Sequence, residues 1–149
     1  MVNSNLGVND TQVHNVLAND ETEWLVEEGR TEEQGFVLRT RGCERKITGL
    51  KIRNAAKAFS TKGFKVSSAL KHGQWNSLAE GNLEQIAPFV TFHMDQSVQV
   101  RYIRFELLSY HGTKGGGLRS FFLLTGDIVS LNTNIFLQQL LVKLRIKLN

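Results

Sequence analysis

The chain has 149 residues, is 41% apolar, contains one proline and carries a formal net charge of +4. That length and apolar content describe one domain with a real core and exclude wholesale disorder. The single cysteine, Cys43, excludes an intrachain disulfide, and no run reaches the ~20 apolar residues of a membrane-spanning helix.

Residues 1–12 are polar and are expected to form a flexible N-terminus. Met1 to Leu6 lacks the basic segment and apolar run of a secretory signal, so the chain as given reads as cytoplasmic. A fragment of a longer extracellular protein would read the same. Val13 to Leu17 is a short apolar piece, and Asn19-Asp20-Glu21-Thr22 a turn, because Asn and Asp bond their own backbone. Trp24-Leu25-Val26 follows, then an acidic loop from Glu27 to Glu33. Gln34 to Thr40 reads as a strand, punctuated by Gly42. In Ile47 to Asn54, Leu50, Ile52 and Asn54 share one face and Lys51 and Arg53 the other, as in a strand with one wet side.

Ala55 to Phe59 favours helix locally, but Ser60 to Gly63 stops it, so a loop with one helical turn is expected. Phe64 to Ser67 is a strand, Lys71 to Gln74 a turn, and Trp75 to Glu80 a further strand. Phe89 to Phe92 and Val98 to Val100 flank Asp95-Gln96. Val100 to Leu108 reads as a strand with Val100, Tyr102, Arg104 and Glu106 on one face and Arg101, Ile103, Phe105 and Leu107 on the other. A turn through Gly112 and Gly115-Gly116-Gly117 leads to a last strand, Leu118 to Leu124. Short strands without intervening long helices make an all-β sandwich over residues 13–126. Residues 127–149 are an apolar and basic extension, open to reading as a closing strand, a packed helix or an amphipathic surface element.

Charge is segregated. Residues 10–33 hold Asp10, Asp20, Glu21, Glu23, Glu27, Glu28, Glu32 and Glu33 against Arg30 alone, and residues 35–71 are rich in Lys and Arg with Glu44 their only acid. The two regions can balance one another or face solvent. Aromatics are not interleaved with the bases as a stacking platform needs, so nucleic acid is not expected as a partner. Catalytic patterns are missing too. There is no Gly-x-Ser-x-Gly, the glycine triplet is followed by Leu118-Arg119 rather than Lys-Ser, and His14, His72, His93 and His111 lack metal-ligand spacing. The chain is therefore expected not to be an enzyme.

Four pieces of the sequence, taken in order, resemble the coagulation factor V/VIII type C, or discoidin, domains. They are Asn19 to Trp24; Gln34 to Cys43; Ile47 to Asn54 with Thr61 to Val66 and Trp75; and Val100 to Glu106 with Gly115 to Leu118. The resemblance covers residues 14–124. It implies a galactose-binding-like jelly-roll sandwich that binds through loops at one end. Relatives bind glycans, acidic phospholipids or proteins, so fold alone does not choose a ligand. There are departures. Arg39-Thr40-Arg41-Gly42 stands where the family has Asp-Leu-Gly, only six residues separate Asn54 from Thr61, and the terminal cysteine pair is absent.

On this footing the chain is expected to be a non-enzymatic module for carbohydrate binding or cell adhesion, with a glycan or glycoprotein as partner. Its candidate ligand residues are Arg53, Arg104, Trp24, Phe59 and His111. The arginines offer paired donors, and Trp24 and Phe59 offer faces for the C–H side of a sugar. Trp24 also suits the core, as does Trp75. The resemblance places a calcium ion at Asp20, with Asn19 and Thr22; an Asx-turn accounts equally well for those residues. Two alternatives stay open. One is an anionic phospholipid surface, motivated by the bases and by apolar loop tips at Phe59 and Leu25. The other is an intracellular protein–protein scaffold.

Overall fold

The computed structural model describes residues 2–3, 13–18, 21–29, 34–40, 42–85 and 89–125. The extension at 127–149 and most of the 1–12 stretch lie outside them. Nine strands are present among the described residues: β1 (Val2–Asn3), β2 (Trp24–Glu27), β3 (Gln34–Arg39), β4 (Arg45–Asn54), β5 (Gly63–Ala69), β6 (Asn76–Asn82), β7 (Val90–Val100), β8 (Tyr102–Leu107) and β9 (Gly115–Leu124). They form a five-stranded sheet, β1-β3-β8-β5-β6, and a four-stranded sheet, β2-β9-β4-β7, with every pairing antiparallel. This is the jelly-roll sandwich that the sequence implied. Short 3-10 turns at His14–Leu17 and Lys57–Phe59 supplement the strands. The second is the single helical turn expected between Asn54 and Gly63.

The alternation read in β4 places Ile47, Leu50, Ile52 and Asn54 inward and leaves Lys51 and Arg53 half-buried on the outer face. Trp24, Phe36, Phe64, Phe105 and Phe121 meet at the centre of the core. Trp24 lies edge-on to Phe36 at 5.1 Å, and Phe36 stacks on Phe105 at 5.3 Å. Each such ring stabilises the fold by about 3 kcal/mol or more relative to alanine.

The stretch 100–108 departs from the single strand expected. Val100 pairs with Arg45 in the four-stranded sheet, whereas Tyr102 pairs with Arg39 and Ala69 in the other. The chain changes sheets at Arg101, whose N–H donates to the Ala69 carbonyl and whose carbonyl accepts from Thr40 N–H. Val100 is therefore buried with Ile103, Phe105 and Leu107, not on the face of Tyr102, Arg104 and Glu106. The cause is visible in the spacing. Val100 and Ile103 are three apart, and a strict period of two cannot bury both.

Antiparallel order brings the β2–β3, β4–β5, β6–β7 and β8–β9 connections to one end of the sandwich, here called the loop end. The β3–β4 and β5–β6 connections and the Arg101 corner lie at the opposite end.

Candidate functional site

Asn54 builds the loop end from below. It closes β4 on the inward face and is 5% exposed, so its amide must find partners. Its Oδ1 accepts from the N–H groups of Ala55 and Thr61, at 2.9 and 2.8 Å. Its Nδ2 donates to the carbonyls of Thr61 and Glu84, at 2.8 and 2.9 Å. One side chain thus sets both ends of the 55–61 loop and joins it to the β6–β7 connection. Thr61 adds a link to β9, donating from Oγ1 to the Gly117 carbonyl at 2.7 Å.

The β4–β5 and β8–β9 loops are then laced together. His111 N–H donates to the Ser60 carbonyl at 2.8 Å, Lys114 N–H to Ala58 at 3.0 Å, and Lys62 N–H to Ser109 at 2.8 Å. Glycine permits this approach: a Cβ at Gly112 would run into the Ala58 carbonyl. Gly115 has φ of +145°, and a Cβ there would strike the Val26 carbonyl. The glycines read from sequence as a turn therefore serve close backbone contact.

The His111 ring sits 2.9 Å, through Nε2, from the Leu83 carbonyl. A carbonyl only accepts, so Nε2 is the donor in this contact, and Nδ1 is the ring nitrogen not engaged by it. On these two laced loops Lys57 and Tyr110 are exposed and Phe59 is half-buried. Leu108, 56% exposed, stands beside them in sequence. The structure brings Phe59 and His111 onto adjoining loops, and it adds Tyr110, which the sequence reading passed over.

Arg53 lies on the flank, on the outer face of the four-stranded sheet. Its guanidinium is 5.6 Å from the centre of the Phe89 ring and 3.9 Å from the Glu21 carboxylate. Lys51 lies over the same ring at 4.5 Å, and burial lowers its pKa from the usual 10.5. The strong ion pair nearby belongs to Arg119, which the sequence reading did not single out. Its Nε and Nη2 both donate to Glu23 Oε1, at 3.1 and 2.8 Å, and its Nη1 lies 2.8 Å from Glu21 Oε2. Glu23 Oε1 also accepts from Ala56 N–H at 3.0 Å, so this cluster steadies the start of the loop. The acidic segment thus pairs chiefly with Arg119, outside the basic segment, and meets that segment through the Arg53–Glu21 contact.

Two expected ligand residues sit elsewhere. Trp24 is fully buried, so it has no face for a sugar; its ring serves the core. Arg104 lies on the outer face of the five-stranded sheet, on the other side of the sandwich from Arg53, and does not converge with it. Trp75, read as core, is half-buried beside Arg104. Leu25 is a half-buried strand residue opposite Gly117, not a loop tip. Of the calcium candidates, Asn19 and Asp20 lie outside the described residues and Thr22 is exposed. The neighbouring carboxylates of Glu21 and Glu23 are turned to Arg119. Among the described residues no three His, Cys, Asp or Glu side chains gather as a metal site. No described helix is long and apolar enough to cross a membrane.

The F5/8 type C domain family matches residues 3–121. No curated protein matches by sequence. Among solved structures, the chain is similar to the family 32 carbohydrate-binding module of Clostridium perfringens NanJ, solved with galactose. The TM-score is 0.64 at 13% identity, covering 82% of this chain and 92% of that one. It is also similar to the family 32 module of AlyQ in complex with 4,5-unsaturated mannuronic acid, at TM-score 0.67 and 14% identity, covering 85% and 95%. A pectin-binding carbohydrate-binding module aligns at TM-score 0.66 and 16% identity, covering 86% and 91%.

Proposed function

Because the chain belongs to the F5/8 type C domain family, we propose that it is a non-enzymatic carbohydrate-binding module that takes a glycan at its loop end. The observation that carries this reading is the laced pair of loops, which holds Phe59, Tyr110 and His111 on a fixed backbone. Aromatic rings offer the C–H face of a pyranose a surface, and His111 Nδ1 and Lys57 offer polar contacts around it. Fixing the loops beforehand lowers the entropy cost of binding. The galactose and mannuronate complexes of structurally similar modules support the ligand class. Affinity per site is modest in this reading, and strength comes from repetition in a larger assembly, as adhesion requires. A glycan array followed by calorimetry tests it. Binding should weaken about tenfold in Tyr110→Ala, the loss expected of a stacking aromatic with a polar edge. Silence of folded protein across the array would remove the reading.

One observation favours a second reading, an anionic phospholipid surface. Leu108 and Tyr110 are exposed at the loop end, in company with exposed Lys57, Lys62 and Lys114. An apolar tip ringed by lysines suits an anionic bilayer. Vesicle sedimentation with and without phosphatidylserine separates the two. Pelleting that depends on the anionic lipid and falls with salt supports the membrane reading, and equal pelleting removes it.

A further inference from the structure

The outer face of the five-stranded sheet carries a cluster remote from the loop end. Tyr102, Arg104 and Glu106 project from β8, half-buried, while Ile103, Phe105 and Leu107 between them are buried. Each has one small cross-strand neighbour, Gly35 beside Glu106, Ser67 beside Arg104 and Ala69 beside Tyr102, and one larger one, Lys65, Val37 and Arg39 respectively. Trp75, from the β5–β6 connection, lies against Arg104, whose guanidinium carbon is 4.7 Å from the ring centre. His72 stands edge-on to Trp75 at 5.7 Å and to Tyr102 at 5.4 Å. Two aromatic rings and an imidazole thus adjoin an arginine and a carboxylate.

The polar pair in this cluster is poorly joined. Arg104 Nη2 lies 3.4 Å from Glu106 Oε2, near enough to attract, yet neither Arg104 Nε nor Glu106 Oε2 has a hydrogen-bond partner. Both atoms are enclosed, while 24% of the Arg104 side chain and 17% of that of Glu106 remain exposed. Enclosed polar atoms without partners are uncommon and costly, and they ask for an explanation. A small turn of either side chain toward a ligand loses no well-formed hydrogen bond between the two.

We infer that this face is a second glycan site, taking a pyranoside with adjacent hydroxyls. One hydroxyl donates to the Glu106 carboxylate and its neighbour accepts from the Arg104 guanidinium, while the C–H face of the ring lies on the open surface of Trp75 and Tyr102. The inference shares its ligand class with the loop-end reading but uses none of the same residues.

Aromatic residues separate the two sites experimentally. The chain has two tryptophans and two tyrosines. Trp24 is core, Trp75 and Tyr102 belong to the sheet face, and Tyr110 belongs to the loop end. Isotope-labelled whole protein is titrated through the millimolar range with the methyl pyranosides of galactose, glucose, mannose, N-acetylgalactosamine and N-acetylglucosamine. The Trp75 indole N–H resonance should shift saturably with at least one of them, with Trp24 unmoved as a reference for folding. Glu106→Gln, which keeps the shape and removes the charge, should weaken that shift about tenfold. A silent Trp75, or a response unchanged in Glu106→Gln, overturns the second site. Failure of the loop-end reading registers separately, as a silent Tyr110 ring.

Discussion

The two sheets each carry an arginine–carboxylate group on the outer face, and the two groups are built differently. On the four-stranded sheet, Arg119 donates twice to one oxygen of Glu23 and reaches Glu21, and Glu23 also holds the Ala56 N–H. On the five-stranded sheet, Arg104 and Glu106 approach without aligning, and the Arg104 guanidinium lies over the Trp75 ring. The first arrangement is committed to the fold and steadies the start of the 55–61 loop. The second leaves hydrogen-bonding capacity unused beside an aromatic surface. An arginine near an acid is therefore no functional signal by itself. What separates a structural pair from a ligand-ready one is whether its hydrogen bonds are already closed.

That contrast can be broken by mutation. The largest effect is expected at the base of the loop end. Asn54→Ala strips four hydrogen bonds from a buried position and should cost about 3 kcal/mol in urea unfolding, with glycan binding at the loops falling in parallel. A loss below about 1 kcal/mol would mean that the loop does not depend on this bracket. Glu23→Gln weakens a part-buried charged pair and should cost about 1–2 kcal/mol. Glu106→Gln should stay within about 0.5 kcal/mol of the parent, since its pair is misaligned. Equal losses at Glu23 and Glu106 would erase the distinction between the two faces.

The smallest effect concerns pH. Burial holds the Lys51 pKa below its usual 10.5, so the folded protein gives up that proton at a lower pH than the unfolded chain. Between the two values the unfolded state binds more protons, and stability rises as pH climbs toward 10.5. Lys51→Met should flatten that alkaline rise in thermal unfolding, and an unchanged slope would assign it to other groups.

Much of the fold was legible in the sequence because the relevant signals are local. The alternation of Leu50, Ile52 and Asn54 against Lys51 and Arg53 named the two faces of β4, and the residue pattern named the jelly roll. Asn54 was legible in principle as more than a strand end. A polar residue in phase with Leu50 and Ile52 points inward and must be bonded. The sheet change at Arg101 was also written in the spacing of Val100 and Ile103, but a single-strand reading hid it. Trp75 was not legible. It stands between Gln74 and Asn76 with no periodic context, and its place beside Arg104 and Tyr102 depends on pairings between β5, β6 and β8. The site was harder for the same reason. Phe59 and His111 are far apart in sequence, and only the hydrogen bonds between their loops make them neighbours.

The most direct test of the central claim is calorimetric titration of the strongest array ligand into the parent protein and into Tyr110→Ala and His111→Ala. Saturable binding to the parent, about tenfold weaker in each variant while both remain folded, is the outcome expected of a glycan site at the loop end. Equal affinity in all three proteins would contradict it and move recognition away from these loops.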